Sequence, residues 1–180
     1  MKVIVTKITD INLLRKACES TMQAGSVSNI SLDTAYCCEH SPMRTQIFWL
    51  EMEDIPTFVS VHQVRHKIGV EHFVRSNRED RGGNAKADRD TPVLHSCLLN
   101  AESLVSMAKM RLCYQASKET RKVMQLIKES VKVVDPDLAK YMQPKCVYRN
   151  GMCNEPRSCG VYDVASYEPE KIMKRIRKTK

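Results

Sequence analysis

A chain of 180 residues, 42% of them hydrophobic, suits a single domain and is enough for a real core. Lys and Arg outnumber Asp and Glu by 29 to 21, so the net charge of +8 attracts polyanions such as nucleotides, nucleic acid or acidic lipid. No segment approaches membrane-spanning length, and the opening MKVIVTKITDINLL is too short and too interrupted by Lys7, Asp10 and Asn12 for a signal peptide, which points to a cytoplasmic protein without membrane partners. Its eight cysteines then read as core residues, metal ligands or reactive thiols before disulfides.

Lys2 to Thr6 reads as an opening strand, and Asp10 as the cap of a helix carrying Leu13, Leu14 and Ala17. Small polar residues from Gly25 to Ser31 form a loop. The run IFWLEME after Gln46 is a half-alternating strand that shows Glu51 and Glu53 on its polar face. Pro56 starts a helix through Phe58, Val59, Val61, His62 and Arg65. It leads into VRHKIGVEHFVRSNRED, Val64 to Asp80, where charge crowds a thin apolar thread of Ile68, Val70, Phe73 and Val74. Gly82, Gly83 and Asn84 open a loop that runs to Asp90.

Leu94, Leu98, Ala101, Val105, Ala108 and Leu112 recur at helical steps and predict one long helix from about Pro92 to Ser117. On it, Asn100 and Arg111 share a face, roughly 16 Å apart along the axis. The stretch YQAS, 114 to 117, is either a break or a turn. A further helix carries Val123, Ile127, Val131 and Val134 up to Pro136. Beyond Pro144 come short loops, and the residues from 161 on, ending KIMKRIRKTK, form a basic tail.

Several of these segments resemble the flavin-dependent thymidylate synthases, the ThyX family, over roughly residues 35 to 160. Arg65-His66-Lys67 stands where the family signature R-H-R-x-x-S-x-N-E-x-S-x-R-Y begins, and Ser76-Asn77-Arg78 resembles its Ser-x-Arg if one residue is inserted. Val70, His72 and Phe73 replace the signature Ser, Asn and Glu, and Glu79 replaces the closing Tyr. Glu39-His40-Ser41-Pro42 is similar to the upstream segment that lies against the flavin, and Leu98 to Arg121 is similar to the family's long helix.

The resemblance implies an α/β fold with a mainly antiparallel sheet, flanking helices and long helices in the C-terminal half. One catalytic domain would span residues 1–160 and assemble as a homotetramer. It implies FAD as cofactor, NADPH and methylenetetrahydrofolate as co-substrates, and transfer of one carbon to C5 of dUMP, a pyrimidine deoxynucleoside monophosphate, to give dTMP. Carried over by position, His40, Arg65, His66, Lys67 and Asn100 would hold FAD. His62, Glu71, Ser76, Arg78 and Arg111 would hold the nucleotide, with Arg111, Ser76 and Arg78 the catalytic set. Arginine forks match phosphate oxygens in charge and geometry. Two other readings stay open: hydroxymethylation of a pyrimidine nucleotide, and a non-catalytic nucleotide- or nucleic-acid-binding protein of the same fold. An aromatic content of 6% offers few stacking platforms and weakens nucleic acid as a partner.

Cys113, Cys146, Cys153 and Cys159 are candidates for a structural zinc. Their spacing lacks tight C-x-x-C knuckles, but the last three lie among turn residues without a core of their own, a segment that a metal would staple.

Overall fold

The computed structural model describes residues 1–84 and 86–160; the basic tail lies outside the described residues. Four strands, β1 (Lys2–Lys7), β2 (Ile47–Pro56), β3 (Val70–Val74) and β4 (Pro92–Asn100), form one sheet in the order β1-β2-β4-β3, and each neighbouring pair is antiparallel. The helices are α1 (Ile11–Glu19), α2 (Leu32–Cys37), α3 (Thr57–Val64), α4 (Ala101–Arg111), α5 (Lys118–Val134) and α6 (Pro136–Tyr141). This is the mixture of strands and helices read from the sequence, with the antiparallel sheet that the resemblance implied. Among the described residues no helix is long and apolar enough to cross a membrane.

Side chains two apart share a sheet face, so one face of β2 gives Phe48, Leu50 and Met52 to the core. The register with β4 slips between Met52 and Ile55, where Asp54 takes a positive φ of 55°. The extra residue shifts the alternation, and Ile55 is buried again. α5 closes the core from the helical side with Val123, Met124, Ile127 and Val131, the stripe read from its spacing.

The long helix from Pro92 to Ser117 is not formed. Residues 92–100 are strand β4, the helix proper is 101–111, and YQAS is a true break before α5, whose N-cap is Ser117. In β4 the core-facing positions are Val93, His95, Cys97 and Leu99, a period of two, with Ser96 also buried on the other face. Leu98 points to the outer face and is 37% exposed. The apparent helical stripe joined outward residues of a strand to inward residues of a helix. Asn100 is thus the N-cap of α4, its Oδ1 accepting from the Ser103 N–H at 2.9 Å, and its extended backbone takes it off the helical face that carries Arg111.

A buried carboxylate ties β1 and α2 to the junction of α5 and α6. Asp135, 2% exposed, joins α5 to α6 and accepts from Lys7 Nζ at 2.7 Å, Tyr36 OH at 2.8 Å and the Leu138 N–H at 3.0 Å. Burial and the neighbouring carboxylate push the Tyr36 hydroxyl well above its ordinary range, so it stays a donor. Removing one partner of a buried ion pair leaves the other uncompensated. Asp135→Ala is therefore expected to cost about 3 to 5 kcal/mol in urea unfolding. Asp80→Ala, which breaks only the exposed pair with Arg78, should stay within about 0.5 kcal/mol.

Candidate functional site

After α3 the chain passes through Arg65 to Gly69 before entering β3, and this short connection lies across the N-terminus of α4. Ser103 Oγ donates to the carbonyls of Ile68 at 2.7 Å and Gly69 at 3.0 Å, and the Asn100 N–H reaches the Gly69 carbonyl at 3.2 Å. Gly69 has φ +68°, and a Cβ there would stand 2.4 Å from Asn100 Nδ2 and 2.6 Å from Ser103 Oγ. Only glycine permits both the turn and the close approach. The clamped connection presents Arg65, Lys67 and Ile68 outward, Ile68 being 88% exposed.

Arg111, the last residue of α4, fixes the other side of this connection. Its Nε donates to His66 Nε2 at 3.0 Å and its Nη2 to the His62 carbonyl at 2.7 Å. His62 is held in turn by Thr120 Oγ1, 2.9 Å from its Nδ1. A guanidinium cannot accept, so His66 Nε2 must carry its lone pair. Burial and the Arg111 charge push His66 down to about 4, which keeps the ring neutral. Arg111 itself is lowered by burial and by Arg65, and His62 by burial and by Arg111, Arg65 and Arg89. Burial is the largest cause of all three shifts, and neighbouring positive charge adds to it. Among the described residues Arg65, Lys67 and Arg111 have no carboxylate within 4.0 Å, so the positive field is uncompensated. Such a cluster fits an anion, and forked guanidinium groups fit phosphate oxygens.

Two adjoining cavities, of about 220 and 400 Å³, share Ile68, Ser103 and Ser106 along α4 and form one trough. Arg65, His66 and Lys67 line one end. Glu39, Arg44, Glu102 and Lys109 line the other, where Arg44 grips Glu102 through two bonds of 2.7 and 3.0 Å and Lys109 pairs with Glu39. Free cations and an exposed apolar tip at Ile68 suit an elongated ligand with anionic and apolar parts.

Not every expected residue joins this trough: Arg111 borders it only through its bond to His66, and lines instead the adjacent cavity that holds Cys113 and Cys146. Asn100 lies beneath the 65–69 connection as a cap, and His40 lines a separate cavity with Cys18, Met22 and Ile30. Ser76 and Arg78 lie beyond the far end of β3. From Val70 to Ser76 an extended chain covers about 20 Å, and Arg78 is occupied there by Asp80 at 2.7 and 2.9 Å, its own N–H bonded to Ser76 Oγ. Glu71 is exposed opposite Leu98 on the outer face of the sheet. Within one chain these three do not converge with Arg111.

Cys113, Cys146, Cys153 and Cys159 do line one cavity, of about 200 Å³, and all are free thiols. Among the described residues, though, the single set of three ligating side chains whose donor atoms lie within 4.8 Å of one another is His72, His95 and Cys97. Sequence reasoning missed this set. Its signal was the alternation Val93-His95-Cys97-Leu99, masked by the helical reading of the same segment.

No protein-family model matches the chain, and no curated protein matches it in sequence. Solved structures do resemble it. Two are of thymidylate synthase ThyX from Helicobacter pylori with FAD and dUMP. One is 14% identical with a TM-score of 0.63, covering 82% of this chain and 99% of its own; the other is 13% identical with a TM-score of 0.66, covering 79% and 100%. The chain has a ThyX-like fold. A third structure of this kind, the UMP/dUMP methylase PolB from Streptomyces cacaoi bound with 5-Br dUMP, is 10% identical with a TM-score of 0.58 and covers 78% of this chain and 94% of its own. At such identities the ThyX-like resemblance is one of fold, and the site rests on the side chains described above.

The neutral His66 makes stability depend on pH. Its folded value near 4 lies below the ordinary 6.5 of an unfolded histidine, so the unfolded chain takes up protons first as pH falls. Stability is fully present above about pH 6.5 and declines as pH drops toward 4. His66→Gln offers Arg111 an amide oxygen that does not titrate, and melting temperatures measured from pH 7.5 to 4.5 should fall less steeply for it than for the wild type.

Proposed function

We propose that the protein is a flavin-dependent enzyme that transfers a one-carbon unit from methylenetetrahydrofolate to C5 of dUMP, with FAD as cofactor and NADPH as reductant. The observation that carries the reading is the uncompensated cluster of Arg65, Lys67 and Arg111 around a clamped connection, in a fold shared with structures that hold FAD and dUMP.

In this reading Arg65 and Lys67 neutralise the phosphates of the bound ligands, and Ile68 packs against a ring. Arg111, tied by Nε and Nη2, keeps Nη1 for a carbonyl or phosphate oxygen and fixes where that oxygen sits. Neutral His66 holds the arginine without adding charge. FAD, when bound, supplies the hydride chemistry; the side chains supply binding, orientation and electrostatics. Ser76 and Arg78 lie too far along β3 to serve the same trough, which supports a homotetramer in which they serve the site of a neighbouring copy, with Glu71 facing that neighbour. His40 and Asn100 act at the margins, Asn100 by shaping the connection. Eight unpaired cysteines suit a reducing, cytoplasmic setting.

A second reading is hydroxymethylation of a pyrimidine nucleotide. It is favoured by Phe73, which stands where the signature has Glu and stacks on Trp49 at 5.6 Å on the outer face of the sheet, leaving the substrate without that acceptor. Product analysis separates a methyl from a hydroxymethyl group.

Titration with FAD and then dUMP should perturb the flavin absorption spectrum and raise the melting temperature. No change in either, at concentrations saturating for flavoenzymes, sinks the proposal. Arg111→Lys keeps the charge but loses the planar fork and one of its two internal bonds. It should weaken dUMP binding by roughly tenfold or more while lowering the melting temperature only slightly; unchanged affinity would remove Arg111 from the site.

A further inference from the structure

We propose that His72, His95 and Cys97 form a buried binding site for one zinc-class divalent cation. The site adjoins the trough, His72 being bonded to the backbone carbonyl of His66, but the proposal is independent of the reading above. β3 and β4 pair so that His72 lies opposite Cys97, and His95, two residues before Cys97, shares its face of the sheet. His95 and Cys97 are fully buried and His72 is half-buried.

Three donor atoms converge there. His72 Nδ1 stands 2.9 Å from His95 Nε2, and Cys97 Sγ is 3.3 Å from the first and 3.4 Å from the second. Around a tetrahedral zinc, ordinary metal–ligand lengths put two nitrogens about 3.3 Å apart and nitrogen and sulfur about 3.6 Å apart. An ion therefore enters if the three side chains spread by a few tenths of an ångström.

The far side of each imidazole is already held as a metal ligand requires. His72 Nε2 donates to the His66 carbonyl at 2.7 Å; a carbonyl only accepts, so the proton sits on Nε2 and the Nδ1 lone pair faces the cluster. His95 Nδ1 lies 3.0 Å from Ser60 Oγ, a buried hydroxyl that can donate or accept. Without metal, Ser60 donates to His95 Nδ1 and His95 Nε2–H donates to His72. With metal, the His95 proton resides on Nδ1, which donates a hydrogen bond to Ser60 Oγ, freeing Nε2. Three bonds form to the cation, and one proton leaves in total, from the Cys97 thiol. Two imidazoles and a thiolate select zinc, cobalt or copper over magnesium or calcium. Three protein ligands leave a fourth position to water, reached from the half-buried His72 side.

The test uses the full chain carrying Cys146→Ser, Cys153→Ser and Cys159→Ser, which leaves the other cavity a single thiol and this cluster untouched. After loading with zinc and dialysis against zinc-free buffer, one equivalent should remain. X-ray absorption should then show one sulfur at about 2.3 Å, with the remaining ligands nitrogen or oxygen near 2.0 Å. Adding Cys97→Ser should weaken zinc binding at least tenfold. Absence of retained zinc, a metal shell without sulfur, or undiminished binding in a folded Cys97→Ser protein would overturn the proposal. The absorption measurement decides it even where that last substitution prevents folding.

Discussion

At Asn100 a strand buried in the sheet becomes a helix with no residue between them, and the site hangs on that junction. Asn100 closes the first turn of α4 with its side chain while its own N–H holds Gly69, and the Ala101 N–H is anchored on the Gln46 carbonyl at 2.9 Å. One turn on, Ser103 grips the same connection. The direction of α4 is thus set by the sheet at one end. At its other end, about 15 Å away, Arg111 returns to the far side of the 65–69 connection. A cation at a helix C-terminus is also favoured by the helix dipole. Sheet, helix and connection form one closed frame, and His66 is the point where the frame meets itself.

Charge has been separated within that frame. At the Glu39 end of the trough each cation has an acid, Arg44 with Glu102 and Lys109 with Glu39, whereas at the Arg65 end none does. A ligand with an anionic part would be drawn to one end only. The neutrality of His66 is part of the same arrangement, because a protonated ring would add to a field that is already repulsive and would break the bond that orients Arg111.

Much of the fold was legible. The strands around Val3 to Val5 and Phe48 to Met52, the Asp10 cap and the α5 stripe follow from local pattern, and each lies where that pattern put it. β4 was not legible, because its inward residues include His95 and Ser96 is buried between two others, so a count of apolar side chains saw a helical beat running through to Leu112. A cap-type residue at Asn100 followed by Glu102 was the available sign of a helix start. Of the candidate residues, Arg65, His66, Lys67, His62 and Arg111 come together because two helices and one connection lie side by side. Ser76 and Arg78 part from them because an extended strand carries them away. Of the His72, His95 and Cys97 set, spacing offered only the His95 and Cys97 pair; His72 joins them through the register of β3 on β4, and register is a long-range property.

The double tether of Arg111 also bears on the thermodynamics of recognition. A free arginine side chain carries roughly 2 kcal/mol of rotamer entropy, much of which a flexible surface residue surrenders when it meets its ligand. Here the His66 ring and the His62 carbonyl have already frozen the side chain during folding. Its contribution to association would accordingly register in calorimetry as enthalpy with little opposing conformational loss, and the rigidity that makes the protein harder to fold makes its ligand easier to hold.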